Sequence, residues 1–170
     1  MATTTHVPVE VYLRSSYEAD AEYVDGEIEE RPAGLLNHAS WQGAILEWFR
    51  QRGKEWNVRS LPSLRVKVAT TRYRVPDIAV LDRSQPTEQT ITHPPVAVFE
   101  VLSPEDTVLR LKRKLQDYST MGISEIWVID PEDNTFYRHQ DGQLLRKDTF
   151  SHPIKGIVFE MNQIKDLLDD

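Results

Sequence analysis

Two short apolar runs, VPDIAVL at Val75–Leu81 and VAVFEVL at Val96–Leu102, constrain this chain more than any other feature of its sequence. Near-continuous hydrophobicity over so short a span, bounded by turn-forming residues, is the mark of a strand buried on both faces. Each run nevertheless carries a carboxylate, Asp77 in the first and Glu100 in the second. An acid on a core strand must give up its water, which is tolerated only when the group is paired, hydrogen-bonded or holding a cation. A basic helical segment and a third apolar strand, EIWVID, follow and end at Asp130. Arg74–Asp130 is therefore the organising unit of the chain and its candidate site.

The flanking sequence reads as additions to that unit. The start, small and polar at Ala2–Thr5, reads as frayed over about residues 1–11, and Tyr12–Ala21 as a short helical turn. Tyr23–Arg31 holds Asp25-Gly26, a hairpin signal, before Pro32 and Gly34 break the chain. Trp41, Ala44, Ile45, Trp48 and Phe49 recur at helical spacing. They predict an amphipathic helix over 38–52, with Asn37 as N-cap and Gly53 as stop. Trp56–Val68 alternates, predicting one half-buried strand with Arg65 and Lys67 on its other face. Ser103 or Asp106 is placed to cap a helix over 105–120, closed by Gly122, whose apolar stripe is Val108, Leu111, Leu115 and Tyr118. Glu125–Ile129 is a further buried strand, and Thr135–His139 and Leu144–Lys147 form a hairpin around Asp141-Gly142. Ile157–Phe159 and a terminal turn at Gln163–Leu168 complete the chain. No repeat or long linker divides the 170 residues, so they read as one domain. A strand, a crossover helix and another strand imply one parallel pair beside antiparallel neighbours, and the class is mixed α/β.

Net charge is −7, which argues against a uniformly basic surface that coats nucleic acid. The distribution is uneven: residues 1–49 hold two basic and nine acidic side chains, 50–74 eight basic and one acidic, and 75–170 ten basic and seventeen acidic. The basic island, with Arg65, Lys67, Arg72 and Arg74, together with Lys112, is a candidate for phosphate contacts. A solvated helix end and strand face would give the same pattern. The chain has no cysteine, which excludes disulfides, thiolate chemistry and cysteine-ligated zinc. Neither a leader-like segment nor an apolar run of membrane length is evident, so the expectation is a cytoplasmic protein with no membrane partner.

Sequential strands usually pair, and if these two do, Asp77 and Glu100 share a face with their oxygens close together. Two ionised carboxylates so placed need a shared proton or a divalent cation. Oxygen-only ligation suits Mg²⁺ or Mn²⁺, completed by water and substrate phosphate, and such an ion activates water for phosphodiester hydrolysis. A lysine nearby would add a cation at the water or the phosphate. On periodicity alone, Lys112 and Lys114 both border the apolar stripe of the helix.

VPDIAVL, VFEVLSPEDT, KLQDYSTMGI and EIWVIDPE together, with YVDGEIEE and the helix opened by His38 upstream, resemble the bacterial Uma-type restriction endonucleases of the PD-(D/E)XK nuclease superfamily. The resemblance covers about residues 17–140. It implies a restriction-endonuclease-like αβββαβ core and Mg²⁺-dependent DNA cleavage. It makes Asp77 and Glu100 the metal ligands. The superfamily pattern would place a lysine two residues after the second acid, where this chain has Leu102. The resemblance supplies it from the following helix, at Lys114. It also suggests an accessory group from Glu27, His38 or Glu47, and a homodimer is expected because cutting both strands of a duplex calls for two sites. Each of these residues has a plainer reading. Asp77 could bond to backbone, Glu100 could form an inert ion pair with Lys114 or Arg74, Glu27, His38 and Glu47 could be surface groups, and the four tryptophans are core. The rival functions are a binding or regulatory module that keeps the fold without turnover, and a metal-free small-molecule hydrolase using the two acids.

Overall fold

The computed structural model describes residues 6–17, 20–31 and 34–169. In chain order these form α1 (Val9–Arg14), β1 (Glu22–Val24), β2 (Glu27–Glu29), α2 (Leu36–Gln51), α3 (Gly53–Trp56), β3 (Val58–Pro62), β4 (Val66–Ala69), β5 (Arg72–Arg74) and β6 (Ile78–Asp82). There follow β7 (Ala97–Val101), α4 (Val108–Met121), β8 (Glu125–Asp130), β9 (Thr135–Gln140), β10 (Gln143–Arg146), β11 (Thr149–His152), β12 (Ile157–Glu160) and α5 (Met161–Lys165). A six-stranded sheet runs β10-β9-β8-β7-β6-β3, a four-stranded sheet runs β2-β1-β5-β4, and β11 pairs with β12. Taken in order, α2, β3, β6, β7, α4 and β8 make the expected αβββαβ core.

Pairing follows from connection length. β6 and β7 run antiparallel, with Ile78 opposite Phe99 and Val80 opposite Ala97. β7 and β8 run parallel, joined by the α4 crossover. Helix α4 is cut to length at both ends: the Thr107 side chain accepts from the Arg110 N–H, and Gly122 takes φ 102°, a left-handed conformation that stops the helix.

Side chains alternate across a strand, so β7 serves two cores. Ala97, Phe99 and Val101 join the apolar cluster under α2 with Trp41, Ile45, Phe49, Ile78 and Val80. Val98 joins the cluster under α4 with Ala79, Leu115 and Tyr118. By the same parity Asp77 and Glu100 fall on the α4 side. The C-terminal additions close the α2 side, where Phe150 and Phe159 stack at 4.7 Å between ring centroids. On the α4 side, Val66 and Val68 of β4 cover the helix, so α4 lies between the two larger sheets. Trp41, Trp48 and Trp127 are buried in the α2-side core, with Trp56 packed against it.

Several local expectations are corrected. The alternation over Trp56–Val68 is not one strand: β3 and β4 belong to different sheets, and Ser63, at φ 51°, turns the chain between them. Asn37 lies inside α2, whose N-cap is Leu35 without a side-chain bond. Helix α2 ends at Gln51 with Arg52 as its C-cap, so Gly53 opens α3 instead of stopping α2, and the cap of α4 is Thr107, not Ser103 or Asp106. Of the stretch expected to be frayed, residues 1–5 lie outside the described residues, while Val9–Arg14 are helical and Tyr12 is fully buried against Tyr23 and Tyr73. The turn expected over Tyr12–Ala21 is replaced by α1, and residues 18–19 within it also lie outside the described residues. Among the described residues no helix is long and apolar enough to cross a membrane.

Candidate active site

Asp77 sits one residue before β6, where the antiparallel register continues to Glu100 on β7. Its side chain is 5% exposed. Oδ2 accepts the Val101 backbone N–H at 2.8 Å and lies 3.2 Å from His38 Nε2, while Oδ1 accepts from Arg31 Nη2 at 2.5 Å. Gln42 Nε2 donates to the Asp77 carbonyl at 2.9 Å. Helix α2 therefore reaches the site through two side chains one turn apart, His38 and Gln42. Burial pushes the Asp77 carboxyl up, but the His38 bond and the Lys114 and Arg31 charges outweigh it and hold it at about 2. The same His38–Asp77 bond raises the imidazole above its ordinary value.

Glu100 has the opposite balance. Tyr118 Oη donates to its Oε1 at 2.7 Å, and Lys114 Nζ stands 3.1 Å from the same oxygen. Lys114 and Tyr118 are four residues apart on α4, so one face of the helix presents both. Burial nevertheless pushes the Glu100 carboxyl up to about 8, with the Asp77 and Glu22 charges adding to it and Lys114 and Tyr118 opposing it. This acid is short of positive charge. The Lys114 ammonium is disfavoured by burial, yet Glu100, Glu22 and Asp77 together lift it above the ordinary lysine value.

Behind Lys114 lies a buried network. Lys114 Nζ is 2.6 Å from Glu22 Oε1 and bonds the Val75 carbonyl at 3.2 Å. Glu22 Oε1 also accepts the Val75 N–H at 3.0 Å, and its Oε2 is 3.1 Å from Arg74 Nη1. Arg74, 2% exposed, reaches on to Asp117 Oδ2 at 2.8 Å and Glu29 Oε2 at 3.2 Å. Burial raises the Glu22 carboxyl, but Lys114 and Arg74 more than reverse this, and it ends below its ordinary value.

Glu22, Arg31, His38, Arg74, Asp77, Glu100 and Lys114 line a cavity of about 60 Å³ that also meets Ser103, Asp106 and Arg110. Larger hollows, such as one of about 410 Å³ between β3 and the Asp82–Pro95 loop, bring together no such set of buried acids and bases, so volume alone does not find this site. Among the described residues no group of three or more His, Asp or Glu side chains is arranged to hold a metal ion. Asp77 and Glu100 are the pair whose chemistry suits one: two oxygen donors at facing positions, one just before β6 and one on β7, with Lys114 at 3.1 Å as the Glu100 counterion. Mg²⁺ is usually held by one or two carboxylates with water and phosphate completing its shell, so the donor set fits.

The structure sorts the residues singled out in the sequence. Asp77, Glu100, Lys114 and His38 converge on the cavity, whereas Lys112 lies along a separate groove with Arg113 and His139. Glu27 is exposed at the start of β2 and is not among the cavity residues, and Glu47 bonds Gln51 on α2. Of the residues expected at phosphate, Arg74 is buried among carboxylates, and Arg65 is held by Asp20 and by the Tyr12 and Ser15 carbonyls. Arg72 pairs with Asp25 and Asp117, and Lys67 is half-buried on β4. Glu22, Arg31 and Tyr118 were not expected at the site. Tyr118 had been assigned to the apolar stripe, and its hydroxyl was the available signal, because a buried phenol usually bonds a polar partner.

The profile of the family described as "Putative restriction endonuclease" (Uma2) matches residues 9–159. A crystal structure of a "putative nuclease belonging to DUF820" from Anabaena variabilis ATCC 29413 superposes with a TM-score of 0.79 at 20% identity, covering 94% of this chain and 97% of that one. A DrdV–DNA complex aligns at a TM-score of 0.45 and 16% identity, over 81% of this chain and 12% of that one. A search among curated proteins gave no match. The first structural likeness establishes a shared fold.

Proposed function

We propose that this chain, which belongs to the Uma2 restriction endonuclease family, hydrolyses phosphodiester bonds of DNA at the Asp77–Glu100 site with Mg²⁺ or Mn²⁺ as cofactor. The observation that carries the reading is the meeting of Asp77 and Glu100 with Lys114 in one buried cavity. Asp77 Oδ1 and the Glu100 carboxylate would hold the ion, which when bound supplies a Lewis acid for the phosphate and a more acidic water. Glu100, whose carboxyl burial raises to about 8, would release its proton to water on taking up such an ion. Lys114, kept charged by Glu22 and Glu100, presents an ammonium toward the attacking water or the scissile phosphate. Tyr118 fixes the Glu100 rotamer through Oε1, and His38 and the Val101 N–H fix Asp77 through Oδ2. The lysine thus arrives from α4 and needs no place at Leu102. Cleavage of both strands would be the work of a homodimer, acting where cellular DNA lies, in the cytoplasm.

Purified protein with supercoiled plasmid and Mg²⁺ or Mn²⁺ is expected to nick it, and Asp77→Ala to slow the reaction by a factor on the order of 100 or more. No nicking with any divalent metal and DNA form, or unimpaired nicking by Asp77→Ala, sinks the reading. A non-cutting binding or regulatory module is the competing reading, favoured by the protein donors already seated on both Asp77 oxygens. Manganese titration separates the two: an active site binds Mn²⁺ in a way that Glu100→Gln removes, and an inert ion-pair network does not respond.

A further inference from the structure

We propose that Arg31 is the phosphate-binding cation of this site, standing on Asp77 in place of the divalent ion until metal and DNA arrive together. The proposal rests on the nuclease reading above and names a residue that neither the motif nor the resemblance assigned.

Four observations support it. Arg31 Nη2 bonds Asp77 Oδ1, the oxygen that neither His38 nor the Val101 N–H uses, so a metal would reach it only in exchange for Arg31. The guanidinium faces the same cavity as Glu100, Lys114 and Asp106, and its side chain is 14% exposed. Apart from Asp77, its bond among the described residues is a long one of 3.3 Å from Nη1 to the exposed Ser63 hydroxyl. Arg31 also lies outside any helix or strand, in the connection from β2 to α2, so its backbone carries no ladder that fixes it. Arg74 provides the contrast, being clamped on a strand by three carboxylates.

Charge then dictates what happens. The cavity gathers Asp77, Glu100, Glu22 and Asp106 against Lys114, Arg31, Arg74 and Arg110, with His38 beside Asp77, so it carries no excess of negative charge before any ion enters. A dication held at Asp77 Oδ1 would stand against a like charge, and the repulsion would favour departure of the guanidinium from that oxygen. A phosphate approaching the same ion is the anion within reach. The planar fork of arginine matches two phosphate oxygens, and its charge cannot be lost to a base. Arg31 would thereby pass from ground-state counterion to a donor that neutralises charge growing on the phosphate.

The test compares two measurements whose signs differ. In the absence of DNA, Arg31→Gln is expected to bind Mn²⁺ about tenfold tighter, because a like charge beside the ion is gone; free-manganese electron paramagnetic resonance reads this directly. In plasmid cleavage at saturating Mn²⁺ the same variant is expected to be slower by a factor of about 100 or more. A residue that merely braces Asp77 would weaken both. Arg31→Lys, which keeps the charge and loses the fork, is expected to bind Mn²⁺ as the wild type does and to cut about tenfold more slowly. Manganese bound no more tightly by Arg31→Gln, or cleavage at the wild-type rate by either variant, overturns the assignment. Should Arg31→Gln fail to fold, as judged by its melting, the cleavage rate of Arg31→Lys decides alone. A wild-type chain that binds Mn²⁺ but cuts no DNA overturns the nuclease reading and the phosphate role together. Wild-type cutting with an indifferent Arg31→Gln overturns only the role of Arg31.

Discussion

Burial lifts the Glu100 carboxyl to about 8 in the folded chain, against an ordinary value of 4.5. Between these two pH values the folded protein keeps a proton that the unfolded chain releases. The stability it lends is fully present below 4.5 and is lost as pH rises toward 8. A tenfold change in proton affinity is worth about 1.4 kcal/mol, so the full effect is on the order of a few kcal/mol. His38 and Glu125, both raised, lose stability in the same sense, His38 above its ordinary 6.5 and Glu125 above 4.5. Melting temperatures in chelator from about pH 5 to 8 are therefore expected to fall for the wild type and to fall much less for Glu100→Gln; equal slopes would remove Glu100 as the cause. Asp77 and Glu100 were legible in the sequence because an acid inside an apolar run has few harmless explanations. Lys114 was legible only as one of two, since helical periodicity places Lys112 and Lys114 on opposite borders of the same stripe. Glu22 was not legible. It stands in an acid-rich stretch, EYVDGEIEE, and becomes a buried group only because β1 pairs with β5, which brings it to Arg74 and Val75.

Element boundaries followed a similar division. The two acid-bearing strands and the crossover helix came out nearly as expected, because hydrophobic period and a terminal glycine are local signals. The break between β3 and β4 did not: the alternation is clear only over Leu64–Val68, and the turn at Ser63 comes with the change from one sheet to the other. Helix α4 depends on its C-terminal signal in a way that can be measured. A Cβ at Gly122 would meet only Pro94 Cγ at 3.8 Å, an ordinary contact, so the cost of Gly122→Ala comes from the positive φ alone. That substitution is expected to destabilise the protein by about 1–2 kcal/mol in urea unfolding. A loss near zero would mean that the helix end tolerates another conformation.

For the molecule as a whole, Arg74 is the tie between the four-stranded sheet and α4, with Glu22 and Glu29 on one side and Asp117 on the other. Removing one member of a buried ion cluster leaves its partners unpaired, at about 3–5 kcal/mol. Arg74→Met is expected to lower unfolding stability by that order and to slow plasmid cleavage as well, because Lys114 loses the orientation that Glu22 provides. A variant of wild-type stability would show the cluster to be replaceable by packing. This tie joins the strands near the N-terminus to α4. Glu22 bonds Val75 across 53 residues of chain, and Arg31 bonds Asp77 across 46. No short fragment can then assemble the site, and any sub-global opening that lifts the small sheet strips Lys114 of its orienting carboxylate. On the proposed reading, catalytic competence would thus belong to the fully closed molecule alone and would be lost at any such opening, short of global unfolding.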